Sequence, residues 1–296
     1  MTAVRFNLIG PFEIVSDTGI GHLPTRPKVC QTLALLLTRP NELVPADALI
    51  QELWGENPPR SAHATAQTYI HQTRRLLEVL RVTADGRRPL VTRAPGYMME
   101  VDEDEVDITV FERLIHRGQA ELARRDAEAA AGSLREALSL WRGPVLPNVP
   151  TGPLLEGRIV HLEELRIRAL ELRLEAEELL GRQRESIPEL RTLVHDYPLH
   201  EWFHGRLISA LNRAGRRAEA LQAYQQLYRI LDTELGVEPS PELQRLQAEV
   251  LSPRHGTPTR SGGHAAPAHT VSVHSTAAHS YEDRVVAPLW RASFAV

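Results

Sequence analysis

Residues 43–97 constrain the fold most. An amphipathic segment closes on Leu49, Ile50, Leu53 and Trp54, and the run Gly55-Glu56-Asn57-Pro58-Pro59 stops it. A longer segment follows, Ser61 to Leu80, in which Ala66, Ile70, Thr73, Leu77 and Leu80 recur at helical spacing, with Tyr69 and Leu76 widening the stripe. Thr73 is the one polar residue in that inward row. Pro89 to Arg93 then has a strand pattern and meets a turn at Pro95-Gly96-Tyr97. Helix, break, longer helix and hairpin, in that order, predict a winged helix-turn-helix. Its second helix enters the major groove of DNA and its hairpin lies against the neighbouring backbone.

The flanks supply the rest of such a unit. Strand patterns lie on either side of Gly10-Pro11, with Phe6, Leu8 and Ile9 before it and Phe12, Ile14 and Val15 after it. A turn at Asp17 to Gly21 leads to a short strand at Leu23 to Thr25. Pro27 opens a helix reaching about Thr38, with Val29, Leu33, Leu36 and Leu37 as its buried stripe. Beyond an acidic stretch from Glu100 to Asp107 the pattern is helical to about Leu251. Ala176 to Gly181 matches Ala210 to Gly215 at an offset of 34 residues, which also sets Glu185 on Glu219, Leu190 on Tyr224 and Leu193 on Leu227. That is the period of tetratricopeptide helix pairs, and a looser copy spans Leu114 to Trp141. An irregular helical bundle is the alternative.

The fold class expected is therefore mainly α: an N-terminal winged helix-turn-helix (α+β) over residues 1–101 and an all-helical tetratricopeptide-like domain over 106–251. A disordered tail rich in Ser, Thr, Pro, Gly, Ala and His would occupy 252–296.

Charge and composition narrow the compartment and partners. No apolar run approaches the ~20 residues of a membrane span, and the N-terminus lacks the basic region and cleavage site of a signal peptide. The single cysteine, Cys30, excludes an internal disulfide, so a cytoplasmic location is expected. Net charge is −4 over the whole chain, yet residues 1–99 hold eleven Lys and Arg against eight Asp and Glu. A weakly basic head on an acidic body can bind DNA where its arginines share a face.

The outward face of the longer helix carries Thr65, Thr68, Gln72 and Arg75, with His71 at its edge. Glutamine pairs with adenine through two hydrogen bonds and a threonine methyl meets that of thymine. Arg74 and Arg75 are candidates for phosphate or guanine, and Arg87, Arg88 and Arg93 for the backbone beside the hairpin. Lys28, the only lysine, is a further phosphate candidate. A merely solvated polar face is the alternative for each. Gly96 is expected to serve turn geometry and Tyr97 the packing beneath the wing.

His200-Glu201-Trp202-Phe203-His204 spells HExxH, a zinc-peptidase motif. It opens a repeat helix just after Pro198, and Ala210 stands where a metzincin has a third histidine. His264, His269, His274 and His279 recur every five residues in the tail, where composition accounts for them. Neither metal nor catalysis is expected, and without a GxxxxGK[ST] loop no cofactor.

Taken together, these residues resemble the SARP family of antibiotic regulatory proteins, transcriptional activators of actinomycetes. The marks are Pro27-Lys28 before Leu33-Ala34-Leu35-Leu36-Leu37, Glu52-Leu53-Trp54-Gly55, Pro58-Pro59-Arg60-Ser61-Ala62, Gln67-Thr68-Tyr69-Ile70 and Ala94-Pro95-Gly96-Tyr97. Phe111-Glu112, Leu140-Trp141-Arg142-Gly143, Leu162-Glu163-Glu164-Leu165-Arg166, Ala214-Gly215-Arg216 and Glu234-Leu235-Gly236-Val237-Glu238-Pro239 complete the set. The resemblance implies a DNA-binding domain like that of response regulators and a bacterial transcriptional activation domain. It further implies activation of secondary-metabolite genes, head-to-tail pairs on direct repeats of double-stranded DNA, and contact with RNA polymerase including its sigma factor. Cys30 replaces a basic residue of the family pattern, and His71 and Thr73 replace an aromatic and a leucine. A repeat scaffold that recruits protein and not DNA is the alternative, favoured by Thr73 and low basicity.

Overall fold

Around Gly10-Pro11 the chain turns back on itself. β1 (Arg5–Asn7) pairs antiparallel with β2 (Glu13–Val15), Phe6 opposite Ile14, and β2 pairs with β3 (Gly21–His22). The computed structural model describes residues 4–15, 21–22, 25–80 and 88–252. β3 ends just before the strand expected at 23–25, of which residues 23 and 24 lie outside the described set, as do Arg87 and the tail from 253.

α1 (Pro27–Leu37) is buried from Val29 through Leu37, wider than the stripe its pattern predicts. β4 (Leu43–Pro45) then leads into α2 (Ala46–Trp54) and α3 (Ala62–Val79), followed by β5 (Leu90–Arg93) and β6 (Gly96–Met99). β4 joins the hairpin in a sheet of order β4-β6-β5, a third strand the sequence reading lacked. It explains Gly96. A Cβ there would sit 2.0 Å from the Val44 carbonyl oxygen, so close approach of β4 demands glycine, not the turn. α1 is enclosed because α2 and α3, β6 and the long helix α6 (Pro153–Leu179) all touch it.

After a 3-10 turn at Glu103–Glu105 the chain is helical: α4 (Asp107–Ala123), α5 (Ala127–Ser139), α6, α7 (Ile187–Asp196), α8 (Glu201–Arg213), α9 (Arg217–Leu235) and α10 (Pro241–Leu251). Three helices end alike. Gly181 and Gly215, the pair set in register by the 34-residue offset, have φ of 77° and 80°, and Arg125 after α4 adopts 62°. In each case the next amide reaches back to close the last turn: Asp126 to Glu121, Arg182 to Glu177 and Arg216 to Leu211, each at 2.9 Å. Of the other aligned positions, Leu190, Leu193, Tyr224 and Leu227 are buried, while Glu185 is exposed and Glu219 half-buried.

The acidic stretch is no loose spacer. Val106 bridges Phe6 of β1, and Asp107 is buried against the β1 backbone. Its carboxylate accepts from the amides of Leu8 at 2.9 and 2.8 Å and Ile9 at 2.8 Å. Burial pushes the Asp107 pKa up to about 6 against those favourable contacts. Asn148 exchanges hydrogen bonds with the Phe12 backbone at 2.7 and 3.1 Å, and Arg142 pairs with Glu13 at 2.5 Å. One apolar core runs from Phe6, Leu33 and Ile70 through Phe111, Leu146 and Leu155.

Candidate nucleic-acid interface

Apolar spacing builds the helix-turn-helix from within. α3 buries Ala66, Ile70, Thr73 and Leu77 against α1 and α2, and Tyr69 stacks on Trp54 with ring centroids 6.2 Å apart. Thr73 is 0% exposed, yet its hydroxyl donates to the Tyr69 carbonyl at 2.8 Å, so its inward place leaves no polar group unmet. Burying this row turns Thr68, His71 and Arg75 outward, all exposed, while Thr65 and Gln72 are half-buried on the flank. His71 therefore stands closer to the middle of the outward face than its spacing suggested. His63 and Gln67 are exposed on the same helix and were missed, although the same periodicity places them outside.

Thr65 and Thr68 spend their hydroxyls locally, on Ser61 Oγ at 3.4 Å and the Ala64 carbonyl at 3.1 Å. Among the described residues, none accepts a hydrogen bond from the side chains of His71, Gln72 or Arg75. A groove between these three and the start of α1 is lined also by Arg26 and Thr25, and no carboxylate faces it among its described lining residues. Arg26 is exposed there and had not been singled out from the sequence; its place before Pro27 at a helix start was the available signal.

The other expected cations differ. Arg74 is half-buried and donates through Nε to the Leu90 carbonyl at 3.1 Å and through Nη2 to Thr92 Oγ1 at 2.7 Å. Its guanidinium lies along the hairpin, not free on the outer surface. Lys28 donates to Gln31 Oε1 at 3.0 Å and the Leu53 carbonyl at 2.6 Å, closing the end of α2. Arg88 is exposed, and Arg93 is exposed with Glu100 at 2.9 Å. Arg87 lies outside the described residues.

Behind the outward face sits a joint that no sequence pattern disclosed. Glu52 of α2 is 1% exposed. Its Oε1 accepts from the Gly152 amide at 2.6 Å and Gln31 Nε2 at 3.0 Å, and its Oε2 from the amides of Leu154 at 2.9 Å and Leu155 at 3.1 Å. Those amides are the open N-terminus of α6, whose N-cap Gly152 has no side chain of its own to offer. A carboxylate suits that end of a helix through both hydrogen bonding and the helix dipole. Gly152 is obligatory, since a Cβ would lie 2.1 Å from the Glu52 carbonyl oxygen.

The HExxH histidines point to separate partners. His204 is buried, its Nε2 3.0 Å from the Pro198 carbonyl, and burial lowers its pKa. The His200 ring stacks on Phe203 with centroids 4.4 Å apart, 3.7 Å from Glu171. Glu201 accepts from the Ser240 amide at 2.8 Å, tying α8 to the start of α10. No group of three or more His, Cys, Asp or Glu among the described residues is placed to hold a metal ion.

Comparison with known proteins agrees with this architecture. A family model described as "Transcriptional regulatory protein, C terminal" matches residues 22–99, and one described as "Bacterial transcriptional activator domain" matches 106–251. The chain is 38% identical over 251 residues to Regulatory protein DnrI of Streptomyces peucetius, covering 84% of this chain and 92% of that protein. It belongs to the SARP family. This SARP regulator is also 36% identical to Regulatory protein AfsR of Streptomyces coelicolor, of whose length it spans only 24%. The solved structure of Mycobacterium tuberculosis EmbR in complex with a low affinity phosphopeptide aligns with a TM-score of 0.78 and 31% identity. That alignment covers 85% of the SARP chain and 65% of EmbR. The SARP regulator is thus a DNA-binding transcriptional activator with a winged-helix N-terminal part and a helical activation domain. No described helix is long and apolar enough to cross a membrane.

Proposed function

We propose that residues 1–101 read one element of a direct repeat through the outward face of α3, and that residues 106–251 carry the signal to RNA polymerase, including its sigma factor. Thr65, Thr68, His71, Gln72 and Arg75 meet base edges or the adjoining phosphates, while Arg88 and Arg93, with Arg87, hold the flanking backbone. Two protomers lie head to tail on adjacent repeats spaced by one helical turn of ~10 bp or a multiple of it. The protein works in the cytoplasm, activating genes of secondary metabolism.

One observation supports this reading above the others. His71 and Arg75 are exposed on the outer side of a helix that buries Ala66, Ile70, Thr73 and Leu77, Gln72 is half-buried on its flank, and none of the three has an acceptor among the described residues. Polar groups left so are available to a ligand.

A gel-shift titration of the promoters adjoining its own gene, against random genomic fragments and across a salt series, tests the reading. Tighter binding to promoter DNA with a steep salt dependence is expected. Equal affinity for random fragments would remove the specific reader. Inserting half a helical turn between two repeats should abolish cooperative occupancy, and undiminished cooperativity would remove the head-to-tail arrangement.

A further inference from the structure

β5 is the outer strand of the wing, and among the described residues its far edge has no strand partner in the sheet. An open edge of this kind carries carbonyls that need donors. The Pro89 carbonyl is taken by the Glu100 amide at 2.6 Å on the β6 side. Carbonyls alternate in direction along a strand, so that of Leu90 faces the other way. There it accepts from Arg74 Nε, while Arg74 Nη2 reaches Thr92 Oγ1, the next side chain on the same edge.

We propose that Arg74 is a positioning residue: it braces the wing against the recognition helix and sets the distance between their two DNA-facing surfaces. This inference rests on the DNA-binding reading above. The expectation from charge alone, a direct phosphate contact, asks for a guanidinium free to turn outward. Two of its nitrogens are instead directed at the hairpin from a half-buried position. The planar fork supplies two donors in fixed relation, which the single ammonium of lysine does not reproduce. Glu78 lines the same cleft between helix and wing, beside Arg74 and Arg88, so the cleft is less favourable to a phosphate than the groove at the start of α1.

The full chain carrying Arg74→Lys, Arg74→Gln, Arg88→Ala or Arg74→Gln with Arg88→Ala separates brace from contact on a short random-sequence duplex. For a brace, Arg74→Lys and Arg74→Gln weaken binding to the same extent, within about twofold. Once Arg88 is gone, Arg74→Gln adds less than it does alone, because one of the wing contacts it positions has already been lost. A direct contact gives the opposite pattern: lysine preserves affinity and salt slope, and the Arg74 and Arg88 losses multiply. Amide hydrogen exchange on the free protein decides the point without DNA. Both Arg74 variants should speed exchange along Leu90–Arg93 and leave α3 as it was, and unchanged exchange in the wing overturns the proposal. Failure of the unaltered protein to bind any duplex would remove the DNA reading, and the exchange result would still decide whether Arg74 is a brace.

Discussion

The two helices of the helix-turn-helix treat their polar groups in opposite ways. On α2, Glu52 is enclosed, and four donors from α1 and α6 converge on its two oxygens. On α3, exposed His71 and Arg75 and half-buried Gln72 have no acceptor among the described residues. The contrast separates a group that holds the protein together from groups that nothing among the described residues engages. Arg74 and Lys28 show why charge alone does not make the distinction: both are cations on this unit, and both serve internal carbonyls.

Five substitutions would break or sharpen the contrast, ordered by expected effect. Glu52→Ala leaves the three backbone amides of the α6 start unmet, while Gln31 keeps the position-52 carbonyl at 2.8 Å, so a loss on the order of 4 kcal/mol is expected, read from urea unfolding. A change below about 1 kcal/mol would show that the joint is incidental.

Asp107→Asn tests the second buried carboxylate through its pH dependence. Its folded pKa of about 6 lies above the ordinary 3.8, so the folded state holds the proton more tightly than the unfolded one. Its contribution is therefore fully favourable below pH 3.8 and is lost as pH rises through about 6. That window of about 2 pH units corresponds to at most roughly 3 kcal/mol, at about 1.4 kcal/mol per unit. Unfolding midpoints measured across it should fall more steeply with rising pH in the native protein than in the Asn variant. Parallel profiles would contradict the assignment.

On the outward face, Arg75→Ala should weaken specific and random DNA alike and lower the salt slope by about one unit. Gln72→Ala should instead relax preference at one base pair, at roughly 1–3 kcal/mol. If Gln72→Ala weakens random DNA as much as promoter DNA, it reads nothing. The smallest effect is expected from Thr73→Val, about 1 kcal/mol or less in thermal unfolding, since the hydroxyl only supplements a carbonyl that already belongs to the helix.

What could be read from sequence was what local periodicity controls. The buried row of α3 follows from the 3.6-residue repeat, and Gly181 and Gly215 follow from the need for a left-handed residue where a helix ends. Arg125 does the same work without glycine and so gave no signal. Glu52 belongs to a recognisable run, Glu52-Leu53-Trp54-Gly55, but Gly152, Leu154 and Leu155 lie about a hundred residues away, where no spacing rule reaches. β4 was hidden by its brevity, Gly96 by a neighbour supplied from another strand, and the task of Arg74 by an edge carbonyl that exists only once the hairpin has folded.

The joint between Glu52 and Gly152 also limits how these halves can be recombined. Anyone splicing the reader of one relative onto the body of another must transfer an acid at the first position and a bare backbone at the second as a matched set. A crossover that separates them is expected to yield a hybrid that unfolds more readily, as Glu52→Ala does, because the start of α6 loses the carboxylate that caps it.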